Sequence, residues 1–377
     1  MSGLEARPWR RRRLVQWLLG EPLLCGLLLA FLLISLLDPG SWKQTLDWLD
    51  IPVLASLTGL LAVAQAVRSS GAVQRLARVL VVGMHSRQSV VAVLLVLSAL
   101  LAMLLTNDVA LFLIVPLTLA LCERVHLPRA RLVVFEAFAV NAGSALSPIG
   151  NPQNLLLWQH SGLSLWSFAG QMLVPVAIMF AVLAAMAWLA FPAGRTTARL
   201  QASEPAAVDR PLALVAVLLL AGVVALLETG HAAVAALVVL ALLGLWRPRV
   251  VLRMDWALIA TVALMFVLLG HLADWRVVAE LLAWPDWHKA STVLLGGVAL
   301  SQVISNVPAT MALVDRVPDT MALAAAVNIG GAGFVLGSLA NLIALRLEGS
   351  RRIWWVFHLW SMLYLTLVLV LAWWLMT

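Results

Sequence analysis

The chain has 377 residues, of which 63% are hydrophobic and only 11% charged, with 25 Lys and Arg against 18 Asp and Glu and a net charge of +7. A soluble protein carries about 25% charged residues, and apolar runs recur here from Leu14 onwards, so a soluble domain is excluded and a polytopic helical membrane protein is expected. The positive charge does not point to nucleic acid, because the arginines sit in short loops between apolar runs. Two cysteines, Cys25 and Cys122, supply neither a disulfide framework nor a metal-binding spacing.

In chain order, the predicted elements begin with a basic tail (Arg7, Arg10 to Arg13) and a first span at 14–37. That run is too long for a signal peptide, and no small-residue cleavage site follows it. A second span covers 51–67. Segment 69–83 carries Arg75 and Arg78 on an otherwise apolar helix, which suits a position along the cytoplasmic interface. Further spans are predicted at 132–158, 168–191, 211–227, 232–246, 255–272, 320–345 and 353–376. Segments 88–122 and 291–314 differ. Pro116 sits in one arm of the first, and arm 307–314 of the second is far below the roughly 20 residues a crossing helix needs. Both read as re-entrant helical hairpins, with tips at Thr106-Asn107-Asp108 and Ser305-Asn306-Val307.

Charge gives the orientation. With the N-terminus cytoplasmic and the C-terminus outside, all of the 25 Lys and Arg except Lys43, Arg276, Lys289 and Arg316 fall on the cytoplasmic side, as the positive-inside rule expects. The 17 Trp against one Tyr suit interfacial anchoring. The first hairpin has basic flanks (Arg87, Arg124) and enters from the cytoplasm. The second is flanked by Asp286, Lys289, Asp315 and Asp319 and enters from outside. The expected organisation is therefore an inverted-topology repeat. Residues 1–193 form the first repeat, 194–210 a cytoplasmic linker, and 211–377 a connector span plus the second repeat.

The polar, glycine-rich breaks also occur twice. Asn141-Ala142-Gly143 leads to Gly150-Asn151-Pro152-Gln153-Asn154. Asn328-Ile329-Gly330-Gly331 leads to Gly337-Ser338-Leu339-Ala340-Asn341, with the same spacing from first to last Asn. Proline removes backbone donors and glycine permits unwound turns. Freed carbonyls and helix C-termini suit a cation, and half-helix N-termini suit an anion. A kinked helix using Gly and Asn as interhelical glue is the competing account. Four breaks in two matched pairs favour a transport site.

Asp108 is the sharpest single residue, with no other charge between Arg87 and Glu123. A carboxylate at membrane depth suits a cation ligand or proton carrier, or a cap on the hairpin's second helix. Glu136 is expected to pair with Arg129 or Arg131 near the interface, with a place lining the inner vestibule as the alternative. His271 and His358 lie near span ends as polar tips. No nucleophilic triad, zinc spacing or phosphate loop is present, so neither an enzyme nor an ATP-driven pump is expected.

At these residues the chain resembles the ion transporter superfamily, which includes divalent anion/sodium symporters, citrate transporter-like proteins, arsenite permeases and sodium/proton antiporters. The resemblance rests on the two tips and on Ser147 to Asn154 and Gly337 to Asn341. It implies an elevator-type secondary transporter, often dimeric, with no cofactor other than bound Na+. It implies one cation site from Thr106, Asn107, Asn151 and Asn154, where Asp108 adds a carboxylate. Ser305, Asn306, Ser338 and Asn341 form the pseudo-symmetric site, with substrate between the tips. Sodium/dicarboxylate symporters carry Ser-Asn-Thr at both tips. Here Asp108 and Val307 stand at the third positions, so a hydroxyl is missing at each, and the second broken helix has no proline.

The expected function is secondary active transport of a small anion coupled to Na+ or H+, across a bacterial inner membrane, by a homodimer. The alternatives are a Na+/H+ antiporter with Asp108 as carrier, and an arsenite permease. A channel or a purely structural membrane protein fits the duplicated breaks less well.

Overall fold

In the computed structural model, the described residues are 22–37, 46, 48–81, 84, 86–125, 127–191, 193–194, 207–273 and 276–377. The basic tail, the first part of span 14–37, Lys43 and most of linker 194–210 lie outside them.

The apolar runs fold as helices with recognisable starts. Asp50, Asp209 and Asp319 each accept a hydrogen bond from a backbone N–H in the first turn of the helix that follows. Pro52 and Pro211 occupy first-turn positions of two of those helices, where a missing N–H costs nothing. The first half comprises α1 (Pro22–Leu37), α2 (Ile51–Ser70), α3 (Ala72–Val81), α4 (Arg87–Leu104), α5 (Asn107–Val125), α6 (Arg129–Leu146), α7 (Pro152–Ser161) and α8 (Leu165–Ala190). The second half comprises α9 (Arg210–Glu228), α10 (Ala232–Trp246), α11 (Pro248–Leu252), α12 (Trp256–Ala273), α13 (Arg276–Ala283), α14 (Ala290–Ile304), α15 (Asn306–Leu313), α16 (Thr320–Gly330), α17 (Leu339–Glu348) and α18 (Arg351–Met376).

The protein is an all-α polytopic membrane protein. Five of the described helices are long and apolar enough to cross a bilayer. Many large apolar side chains, among them Leu36, Trp188, Leu189, Leu245 and Trp355, face outward, which only lipid or a partner makes favourable.

Two groups of helices pack together. In one, α2 packs against α9 and α10, and α12 against α1. In the other, α4 packs against α6, α14 against α16, α17 against α5 and α6, and α8 against α18. Close approach is built into the second group. A Cβ on Gly143 of α6 would collide with the backbone of Ala99 on α4, and one on Gly330 of α16 would meet the backbone of Val298 on α14.

Several boundaries differ from expectation. The arms of the first hairpin are 18 and 19 residues long, close to crossing length. Pro116 sits inside α5 without interrupting it. The predicted interfacial segment 69–83 is divided at Gly71, whose φ of 72° ends α2 in the left-handed conformation that glycine adopts freely. The short helices α11 and α13 had no clear signal in the sequence.

Candidate functional site

The two tips differ in geometry. At the first, α4 ends at Leu104 and α5 restarts at Asn107. Thr106 caps α5, its Oγ1 accepting from the Val109 N–H at 3.4 Å, and Asn107 Oδ1 accepts from the Asp108 N–H at 3.0 Å. The Asn107 N–H donates to the Gly150 carbonyl at 2.9 Å, which joins this tip to the first break. At the second tip, Ser305 alone separates α14 from α15 and adopts φ 75°. It is the one non-glycine residue with positive φ among the described residues. Such a conformation costs on the order of 1–3 kcal/mol and persists only where the surroundings enforce it.

The first break runs from Ser147 to Asn151. Pro152 opens α7, and Asn151 Oδ1 caps it by accepting from the Asn154 N–H at 2.8 Å. A Cβ at Gly150 would collide with the Ser144 backbone, so only glycine fits this turn. The second break runs from Gly331 to Ser338 and contains a single 3-10 turn, Val335–Gly337. Gln302 of α14 supports it. Its amide donates to the Gly330 carbonyl at 2.6 Å, and its Oε1 accepts from the Phe334 N–H at 2.8 Å.

The two breaks are cross-braced by five asparagines. Asn141 Nδ2 donates to Asn341 Oδ1 at 2.9 Å, and Asn328 Nδ2 donates to Asn154 Oδ1 at 2.6 Å. The second layer follows the same exchange. Ser338 Oγ donates to Asn141 Oδ1 at 3.3 Å, and Asn151 Nδ2 donates to Asn328 Oδ1 at 3.0 Å. Asn341 Nδ2 reaches the Gly331 carbonyl, and Asn154 Nδ2 reaches the carbonyls of Ser144, Ala145 and Ser147. Each residue before a break thus meets the residue after the other break. All five asparagines are buried, and their amide groups satisfy one another and the unwound backbone.

Beside this brace lies a cavity of ≈ 20 Å³, lined by Asn107, Asp108, Pro152, Gln153, Ser305, Asn306, Val307, Ser338 and Leu339, and closed by Leu258, Thr261, Val262 and Met265 of α12. The volume suits about one water molecule. Four helices (α5, α7, α15 and α17) begin at this cavity. Each N-terminus is a partial positive end, reduced at α5 and α7 by the caps described above, so four partial positive ends face Asp108. Asp108 is buried, and its Oδ1 has no hydrogen-bond partner among the described residues.

The residues singled out from sequence thus separate into two sets. Asn107, Asp108, Ser305, Asn306 and Ser338 line the cavity. Asn141, Asn151, Asn154, Asn328 and Asn341 form the brace, in which Ser338 also takes part. Thr106 and Gly150 shape the backbone. Sequence reasoning missed Gln153 and Thr261 as lining residues. Gln153 had a signal, being flanked by Pro152 and Asn154, while Thr261 sits in an unmarked apolar helix.

Glu136 does not pair at the interface as expected. It is fully buried in the middle of α6 and accepts a hydrogen bond from Thr118 Oγ1 of α5. Arg129 instead pairs with Glu348 at 2.9 Å, and Arg131 donates to the Ala190 carbonyl. His271 stacks edge-on against Trp48, with centroids 4.1 Å apart.

A family described as citrate transporter matches residues 19–321. The inner membrane protein YbiR of Escherichia coli (strain K12) is 39% identical over 327 residues, 86% of each chain. An uncharacterized transporter of Methanocaldococcus jannaschii is 30% identical over 354 residues, 92% of this chain and 94% of its own. The silicon efflux transporter LSI3 of Oryza sativa subsp. japonica is 29% identical over 144 residues, 37% of this chain and 30% of that protein.

Proposed function

This chain belongs to the citrate transporter family, and we propose that it is a secondary active transporter of a small anion, coupled to Na+ or H+. The observation that carries this reading is the convergence of four helix N-termini on one cavity. Four partial positive ends meet a single carboxylate there, and this arrangement supports an anion over a lone cation. Asp108, which lines the same cavity and whose Oδ1 has no hydrogen-bond partner among the described residues, holds the coupling cation beside Thr106 and Asn107. Asn151, Asn154 and Asn341 keep the breaks in shape. Their amide groups are engaged in the brace, which leaves the tips and the helix ends to meet the transported species.

The movement is of the elevator type. In this reading the hairpins are re-entrant and enter from opposite sides; the hydrogen bond from the Asn107 N–H to the Gly150 carbonyl, which holds the first tip against the break between α6 and α7, supports the first of them. The halves are inverted repeats, as the reciprocal asparagine pairs suggest. At ≈ 20 Å³ the cavity is too small for an anion. Loading requires the tips and breaks to slide along the wall formed by α12. The protein works in a bacterial inner membrane, and the exposed apolar faces of the outer helices suit lipid and a second copy.

Trans-stimulated exchange in liposomes tests this. Liposomes loaded with one unlabelled anion from a panel including citrate, phosphate and sulfate are expected to accelerate uptake of the same labelled species, with arsenite and silicate, which are uncharged acids at neutral pH, as the comparison. Equal uptake with and without internal substrate would indicate a channel and overturn the reading. A second reading, Na+/H+ antiport, rests on Asp108 alone and requires Na+-driven proton movement with no anion present.

A further inference from the structure

Glu136 is used neither by the cavity nor by the brace. Its side chain is fully buried, Oε1 accepts from Thr118, and Oε2 has no hydrogen-bond partner among the described residues. It also forms no salt bridge among them, since the nearby cation, Arg129, is held by Glu348. The helices packed on α6 carry their charged residues near their ends: Asp108, Glu123 and Arg124 on α5, Arg346 and Glu348 on α17, and Arg351 and Arg352 on α18. Cys122 of α5 lies within electrostatic range of both Glu136 and Arg129. Arg131 on α6 reaches the Ala190 carbonyl and lies over the Trp360 ring, and Tyr364 of α18 donates to the Met179 carbonyl. His358 of α18 bonds the Trp354 carbonyl in its own helix. Neither α8 nor α16 carries a charged residue, and Arg87 opens α4.

A buried carboxylate with no counter-charge is costly, and taking up a proton removes that cost. Seven residues toward the N-terminus on the same helix face, Arg129 is about half exposed, so solvent lies roughly 10 Å away. Five residues toward the C-terminus stands Asn141 of the brace, roughly 8 Å along α6. Thr118 is ten residues, roughly 15 Å, from Asp108 on α5.

We propose that Glu136, positioned by Thr118, is a proton-binding site separate from the Asp108 cavity, and that it carries the proton of a proton-coupled cycle. A proton from water forms an O–H bond at Oε2 while Thr118 goes on donating to Oε1. Returning the proton to water on the other side restores the carboxylate. Protonation changes the charge between α5 and α6, the two helices that carry the first tip and the first break. The coupling role rests on the transport reading, but the protonation itself does not.

Two measurements keep those claims apart. Infrared spectra of the purified protein are expected to show a carboxylic-acid carbonyl band at neutral pH. The band should shift on deuteration, be lost in Glu136→Gln and move in Glu136→Asp. Gln keeps the acceptor for Thr118, and Asp provides a second variant if Gln fails to fold. Absence of any wild-type band that responds to these changes would overturn the proton site. In liposomes, Glu136→Gln is expected to retain anion exchange and lose the accompanying proton movement. Proton movement at the wild-type rate would overturn the coupling role, whereas loss of band and exchange together, with the fold intact, would overturn its separateness from the anion path.

Discussion

Asn328 on the helix before the second break donates its side-chain amide to Asn154 on the helix after the first, at 2.6 Å. Asn141 and Asn341 make the reciprocal bond at 2.9 Å. Unwound backbone at membrane depth needs polar partners from within the protein, and this exchange supplies them to both breaks at once. It also ties the two halves of the chain to each other.

Replacing Asn154 by Ala leaves the Asn328 amide and the carbonyls of Ser144, Ala145 and Ser147 short of partners. A cost of about 1–3 kcal/mol is expected, read as a lowered Tm in detergent. Asn341→Ala removes fewer bonds and should cost less. In a double-mutant cycle, Asn328→Ala should cost less in the Asn154→Ala background than in the wild type, because their shared bond is already gone while the Asn151–Asn328 bond remains to be lost. Simple additivity of the two would contradict the brace.

Gly143→Ala and Gly330→Ala test the close packing of hairpins on broken helices. Each new methyl meets the backbone of a neighbouring helix, and overpacking of this kind costs about 1–3 kcal/mol. Gly170→Ala, where the added Cβ meets nothing within 4 Å, should leave Tm unchanged or raise it slightly. Comparing the three Tm values checks the pattern.

Ser305 separates strain from function at the second tip. Ser305→Gly should raise stability by about 1 kcal/mol or more, because glycine adopts positive φ without strain. Ser305→Ala retains the strained backbone and should give no such gain. Both remove the hydroxyl of a residue that lines the cavity, so both should weaken substrate exchange, measured as a raised half-saturation concentration.

Asp108→Asn keeps the shape of the cavity and removes its negative charge. With four helix N-termini still in place, anion exchange should persist, while accumulation driven by the cation gradient should be lost. Counterflow and gradient-driven uptake, measured side by side, distinguish the two.

Much of this was legible in the sequence because proline, glycine and asparagine stand out in apolar surroundings. The tips at 106–108 and 305–307 and the breaks at 147–151 and 331–338 fall where those residues cluster. The roles of the asparagines were less legible. Spacing along one helix does not tell whether an amide faces an ion or an amide of the other half. Glu136 was misplaced for a related reason. It lies a few residues into an apolar run that begins beside two arginines, which looks interfacial, yet α6 is covered on every side by other helices. Hydropathy registers the run but not its neighbours. Pro116 leaves α5 unbroken, so proline alone was a poor guide to the limits of the hairpin.

In the proposed mechanism the cavity at the four helix ends takes an anion. Its most direct test uses purified protein in liposomes with an internal pH dye, under an imposed Na+ gradient with the membrane potential clamped. No pH change is expected with Na+ alone, and a response or labelled uptake should begin only when a particular anion from the panel is added. A pH change driven by Na+ alone, unaffected by any anion, would contradict the account and make Asp108 the carrier of a Na+/H+ antiporter.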